Sequence, residues 1–198
     1  MSKSEKTKAF IIEKAAPVFN TKGYAGTALS DLTEITGLTK GAIYGNFENK
    51  DAVATAVFEY NITKLNERFD AQLGGATTAS EKLHAYLSYY RNNWKSISQR
   101  GGCPILNASV EADDNLPFLK NNVQQSIKKW AQRFISILNQ GVKNGEFKPA
   151  IEAAGYAYTF IALIEGGIML SKINNSPARL FLVLNRIETI INTEIIHS

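Results

Sequence analysis

Cysteine is almost missing from this chain. Cys103 stands alone among 198 residues, so no disulfide can close within one molecule, and a reducing, cytoplasmic setting is expected. There are two histidines, His84 and His197. With one cysteine they complete no zinc site of familiar spacing, and no metal or other cofactor is expected. A phosphate-cradling glycine loop is also lacking, because Gly101-Gly102 has neither the lysine nor the preceding strand that such a loop requires. No stretch of useful length alternates apolar and polar residues, which excludes a sheet and leaves an all-α chain. The opening MSKSEKTKAF is charged and has no apolar centre, so export by a signal peptide is not expected. Neither charge sign dominates: 22 basic residues against 18 acidic give +4, too mild to argue for nucleic acid by itself. Nor does a titratable cluster recommend catalysis. His84, Glu111 and Glu165 are only loose candidates, and an enzyme is not expected.

What the chain does have is helical periodicity along most of its length. With 44% apolar and 20% charged residues, it has the balance of a soluble globular protein. The length suits a small domain joined to a larger one. About nine helices are expected, near residues 4–22, 29–36, 40–46, 50–73, 81–98, 104–112, 117–143, 153–170 and 177–196. Pro17 falls inside the first, which is expected to bury Ile12, Ala15, Ala16 and Phe19. Ser80 is positioned to cap the fifth and Pro104 to open the sixth, and Asp113-Asp114-Asn115 should break the chain. Gly145 should stop the seventh.

The informative stretch is 27–50, TALSDLTEITGLTKGAIYGNFENK. Thr27 stands where an N-cap hydroxyl is wanted, and it and Thr39 are also expected to contact DNA. Leu29, Leu32, Thr33 and Thr36 then share one helical face. Gly37 lies where a left-handed backbone costs little, Leu38 plugs the corner, and Thr39 can cap a second short helix. So short a turn makes the helices cross steeply and projects the second one outward, the geometry of a helix-turn-helix that reads a DNA groove. On it, Lys40 can reach a base edge or a phosphate, and Gly41 and Ala42 are small enough for close approach, with Ala42 able to touch a thymine methyl. Tyr44 and Asn46 can donate to phosphate, and Lys50 can place its ammonium on one at the head of the next helix. Residues 1–50 hold seven lysines against five acids. Of these, Lys3, Lys6 and Lys8 form a basic arm, either a solvated helix start or a phosphate contact.

The segment from Phe10 to Lys50 resembles the N-terminal domain of the TetR family of bacterial transcriptional regulators. The resemblance lies in Ile12, Ala15 and Phe19, then Gly23-Tyr24 and Thr27, then Gly37-Leu38-Thr39-Lys40-Gly41, and finally Tyr44, Phe47 and Lys50. It implies a DNA-binding domain over residues 1–50 and a larger helical ligand-binding and dimerisation domain over 51–198. It implies repression by a homodimer on a palindromic operator in double-stranded DNA, relieved by a small effector. The chain departs from the family pattern at Asn46, where histidine is frequent, at Gly45, where larger side chains are frequent, and at Ala28, where a hydroxyl is common. These departures bear on which operator is read.

In the larger part, Phe58, Ile62, Tyr86, Tyr89, Tyr90, Trp94, Cys103, Asn107, Trp130 and Phe134 are candidates to line a pocket for an apolar or aromatic molecule, core packing being the alternative for each. Tyr86, Tyr90 and Trp94 share a helical stripe. Cys103, expected at the start of the short helix after it, is either a thiolate-prone trigger for oxidation or alkylation or an inert buried residue. The helix at 153–170 carries one charge, Glu165. That charge and the Gly166-Gly167 pair argue for burial in protein rather than a membrane span. The last helix is apolar on more than one face. Phe160, Ile164, Gly167, Ile168, Val183, Ile187, Ile190 and Ile191 are therefore expected to pair with their copies in a four-helix dimer interface. A helical small-molecule carrier with an idle helix-turn-helix is the remaining rival.

Overall fold

A computed structural model describes residues 2–114 and 116–197. Among them are nine α-helices and no β-strand: α1 (Lys3–Lys22), α2 (Leu29–Thr36), α3 (Lys40–Tyr44), α4 (Lys50–Leu73), α5 (Ala79–Gln99), α6 (Pro104–Asp114), α7 (Pro117–Lys143), α8 (Ala153–Ile173) and α9 (Ala178–Ile190). A π-helical turn, Ile191–Ile195, follows α9. The chain forms two compact units. One comprises residues 1–66 with 100–126, the other residues 67–99 with 127–198. These units are drawn differently from a division at residue 50, since 51–66 and 100–126 group with the helix-turn-helix. α4 and α7 each contribute residues to both units.

In the first unit, α1 opens on a reciprocal cap. The Ser2 hydroxyl accepts the Glu5 N–H at 3.2 Å, and the Glu5 carboxylate accepts the Ser2 N–H at 2.6 Å. Two donors that helix geometry leaves unpaired are thereby satisfied. The buried face of α1 is Ile11, Ala15, Ala16 and Phe19. Ile11, not the expected Ile12, is the residue with no exposure. Pro17 lies on the exposed side, where water can serve the backbone bond it removes. Past the helix end, Tyr24 is buried between Phe19 and Phe58, with ring centroids 5.3 and 6.4 Å away. Burial pushes its phenol well above the ordinary tyrosine range.

In the second unit, α8 and α9 pack along each other. Phe160, Ile161, Ile164 and Ile168 of α8 are buried, as are Leu180, Leu184, Ile187 and Ile190 of α9. Gly167 permits the close approach, because a β-carbon there would stand 3.1 Å from the Leu180 side chain. Pro177 supplies no side-chain cap to α9. The buried Ser171 hydroxyl of α8 instead accepts the Leu180 N–H at 2.7 Å. At the C-terminus, Ile195 accepts the Lys148 N–H at 2.9 Å and Phe147 bridges to Ile196. By length and composition α8 could cross a membrane. In the protein, one face of it is covered by α9.

Several boundaries move. α5 begins at Ala79, and its first-turn Glu81 N–H goes to the Thr78 hydroxyl rather than to Ser80. α6 runs through Asp113 to Asp114 instead of breaking there, while Asn115 lies outside the described residues. α9 is shorter than expected because the backbone widens into the π turn at Ile191.

Candidate nucleic-acid interface

α2 and α3 form the expected helix-turn-helix. Gly37 ends α2 with φ +67°, and its N–H reaches the Thr33 carbonyl at 2.9 Å. Nothing lies within 4 Å of where its β-carbon would be, so backbone conformation is the reason for glycine here. The buried Thr36 hydroxyl donates to the Leu32 carbonyl and accepts the Leu38 N–H at 3.2 Å, which fixes the corner. Thr39 caps α3 by accepting the Ala42 N–H at 3.2 Å. Ile43 is the buried anchor of α3, and Phe47 closes the core behind it.

That anchoring leaves the other side of α3 facing solvent. Lys40 and Gly41 are exposed, and Ala42, Tyr44 and Asn46 are partly so. The Lys40 ammonium lies 6.0 Å from the centroid of the Tyr44 ring, a loose cation–π contact that keeps both on one face. Asn46 donates to the Ala42 carbonyl at 2.9 Å and accepts the Ser4 hydroxyl at 2.9 Å, tying the end of α3 to the start of α1. Lys8 lies 5.8 Å from the Phe47 ring centroid. Lys8 of α1 therefore flanks the same region.

Besides Thr39, whose hydroxyl caps α3, two more of the expected DNA contacts, Thr27 and Lys50, have structural tasks. Thr27 is fully buried, and its hydroxyl donates to the Gly23 carbonyl at 2.7 Å. It is not the N-cap of α2. Ala28 holds that position, and its N–H is taken by the Asp31 carboxylate at 2.9 Å. Lys22 reaches the same carboxylate at 2.7 Å. The Lys22 contact and then the Ala28 N–H hold Asp31 below the ordinary aspartate range. The Lys50 ammonium donates to the Ala25 carbonyl at 3.3 Å, bracing the α1–α2 connection. Glu111 of α6 joins this bracing by accepting the N–H groups of Tyr24 and Ala25 at 2.9 and 2.7 Å.

The expected ligand-lining residues fall into two groups. Phe58, Ile62, Cys103 and Asn107 belong to the first unit. Asn107 is engaged with Asn20 and with the Gly101 carbonyl. Cys103 is 7% exposed, a burial that works against a thiol sensor needing reagent access. In the second unit Tyr86, Tyr89 and Tyr90 all pack on Phe69, at centroid distances of 4.9, 4.6 and 5.8 Å. Tyr86 also packs on Phe134 at 4.7 Å, and Phe134 lies 6.5 Å from Trp130. Trp94 is only half-buried. Burial pushes the Tyr86 phenol upward, against the opposing pull of the Arg133 guanidinium. Among the described residues, the buried Trp130 Nε1–H meets no hydrogen-bond acceptor. A separate open cleft of about 570 Å³ is lined by Lys148, Ile151, Glu152, Tyr156, Arg186 and Glu194 among others, none of them in the expected set.

The expected dimer residues are also placed differently. Phe160, Ile164, Gly167, Ile168, Ile187, Ile190 and Ile191 are buried within the protomer, and Val183 is half-buried beside Gly167. The apolar side chains left exposed on these helices are Tyr158, Met169, Leu170 and Ile173 of α8 and Leu182 of α9. Gly166, unlike Gly167, faces open space.

A short exposed helix braced by two others, in an all-helical chain, defines a helix-turn-helix protein. Comparison with known proteins agrees. The family model described as bacterial regulatory proteins, tetR family, matches residues 11–57. That described as the tetracyclin repressor-like C-terminal domain matches residues 79–187. The structure of a TetR-family regulator from Cytophaga hutchinsonii superposes with a TM-score of 0.92 at 42% identity, over 97% of this chain and 96% of that one. One from Chloroflexus aurantiacus does so with a TM-score of 0.92 at 35% identity, over the whole of both chains. The repressor DhaR of Mycobacterium sp. strain GP1 is 25% identical over 88% of this chain and 87% of its own length. The chain belongs to the TetR family, and it is a DNA-binding transcriptional regulator, not an enzyme. Members of the family bind DNA operators and act as dimers with small-molecule effectors.

Proposed function

We propose that this protein is a cytoplasmic repressor that binds a palindromic operator as a homodimer and is released by a small apolar or aromatic effector. One observation carries the DNA reading: α3 buries Ile43 and turns Lys40, Gly41, Ala42 and Tyr44 outward together, with Asn46 just past its end. Gly41 and Ala42 let the helix backbone approach the major-groove floor, while Lys40, Tyr44 and Asn46 reach base edges and phosphates. Lys50 adds a phosphate contact where its hold on Ala25 leaves a hydrogen free. Thr27 supports the surface from beneath. Two copies of α3 one helical turn of DNA apart, or slightly more, would read the two halves of a near-palindrome.

Dimerisation is proposed through the exposed stripe of Tyr158, Met169 and Ile173 on α8, with Leu182 on α9, and with Gly166 allowing the partner's backbone close approach. The effector site is proposed at the aromatic cluster of the second unit, where Trp130 offers an unused donor to an apolar molecule bearing one acceptor. Effector binding would reset α4 and so the separation of the two recognition helices.

Selection of bound sequences from random duplex DNA tests the core of this reading. The expected product is a palindrome whose half-sites lie about one helical turn apart. Recovery of no enriched sequence by the purified dimer would overturn it in favour of a helical carrier.

A further inference from the structure

We infer that Glu111, with Asn107 one turn before it on α6, is a positioning residue for operator reading: it sets the pose of α2 and α3 by holding the backbone that leads into them. The inference rests on the DNA-binding reading above.

Tyr24 and Ala25 lie in the connection between α1 and α2, where no helix supplies partners for their N–H groups. The Glu111 carboxylate supplies both, one oxygen to each, at 2.9 and 2.7 Å. Two bonds to one carboxyl group from adjacent N–H donors fix orientation as well as distance. The connection is shaped to admit the carboxylate. Gly23 has φ +84°, and a β-carbon there would stand 2.7 Å from Glu111 Oε1.

Asn107 extends the same seam to the last turn of α1. Its amide donates to the Asn20 carbonyl at 3.0 Å, to Asn20 Oδ1 at 3.1 Å and to the Gly101 carbonyl at 2.9 Å. Asn20 donates in turn to the carbonyls of Arg100 and Gly102. Gly101 is held at φ +91°, and a β-carbon on it would stand 2.6 Å from the Asn20 carbonyl oxygen. The backbones meet too closely there for any other residue. α6 therefore grips the amino-terminal helices at the end of α1 and at the start of the path into α2. Lys50 holds the Ala25 carbonyl from α4, and Thr27 closes the path onto Gly23. A shift of α6 by even the length of a hydrogen bond must pull this connection, and α2 and α3 with it.

The test compares wild type, Glu111→Ala and Asn107→Ala with Ser171→Ala, which loosens the second unit without touching the seam. Operator affinity is read by fluorescence anisotropy on the selected duplex, well below each melting temperature. Amide exchange at Tyr24 and Ala25 is followed in parallel. Glu111→Ala is expected to stay helical and dimeric and to expose both amides to exchange. It should lose on the order of tenfold in affinity with an unchanged salt slope, since no phosphate contact is removed. Renewed selection with it should broaden the half-site spacing. Should Glu111→Ala fail to fold, Glu111→Gln carries the same readings, because it keeps the shape and one acceptor. Wild-type affinity and spacing in the variant, or a loss no greater than that of Ser171→Ala, would overturn the inference while leaving DNA binding intact. A wild-type protein that selects no duplex would overturn the DNA reading and this inference with it, even with both amides protected.

Discussion

At the scale of single residues, polar side chains from elsewhere in the chain stand in for missing caps. Ser171 is the sharpest case, because its buried hydroxyl serves the first turn of α9 from another helix. Ser171→Ala is expected to cost about 1–2 kcal/mol, read as a lower midpoint in denaturant, because it strands the Leu180 N–H. Two glycines separate conformation from space. Gly37→Ala meets nothing but a left-handed backbone and is expected to cost about 1 kcal/mol. Gly141→Ala would drive a methyl into the Phe147 ring and should cost roughly 2–3 kcal/mol or prevent folding. Thermal melts of the two variants should rank in that order. Asp31 brings a pH dependence. Its folded pKa lies below the ordinary value, so its contribution is fully present above that value and is lost as pH falls through the lower folded one. Asp31→Asn should therefore be less stable than wild type at pH 7, and the gap in denaturant midpoint should close in acid. A gap that stays constant down to pH 2 would show that the carboxylate charge contributes nothing.

At the scale of elements, α3 is the part that most needs function to explain it. It is short, and its exposed face forms no core. Lys40→Ala is expected to weaken operator binding and to lower the log–log salt slope by about 1 if Lys40 meets a phosphate. If it meets a base edge, the loss should instead appear as relaxed preference at one position of the site. Most helices were legible in the sequence because their apolar residues recur at helical spacing and because Gly37, Pro104 and Gly145 punctuate them. The corner at Gly37 to Thr39 was legible for the same local reason. What was not legible depended on distance or on symmetry. Glu111 reaches Tyr24 across 87 positions, and no local pattern announces such a pair. The cap of α2 was misplaced by one residue, because Asp31 completes it without the hydroxyl that a capping signal calls for. α8 is apolar nearly all round, so periodicity could not tell the face that meets α9 from the face left open. Ile187, expected at the interface, is core, while Leu182 lies on the exposed side.

At the scale of the whole molecule, that last distinction becomes an experiment on assembly. Leu182→Glu places a charge on the exposed stripe and is expected to convert a dimer to a folded monomer by sedimentation, with near-unchanged helicity. Ile187→Glu buries a charge beside α8 and should unfold the protein instead. A dimer that persists in Leu182→Glu would move the interface elsewhere. The make-up of the first compact unit has a different consequence. Because it draws on residues 100–126 as well as 1–66, a cut at residue 50 would part Tyr24 and Ala25 from the carboxylate that accepts their N–H groups. A chimera spliced at residue 50 would transplant α3 yet leave Glu111 and Asn107 with the donor. An exchange of operator choice that carries residues 100–126 along with the amino-terminal stretch is expected to keep tighter binding than one that moves the amino-terminal stretch alone, read as affinity of the two chimeras for the donor's site.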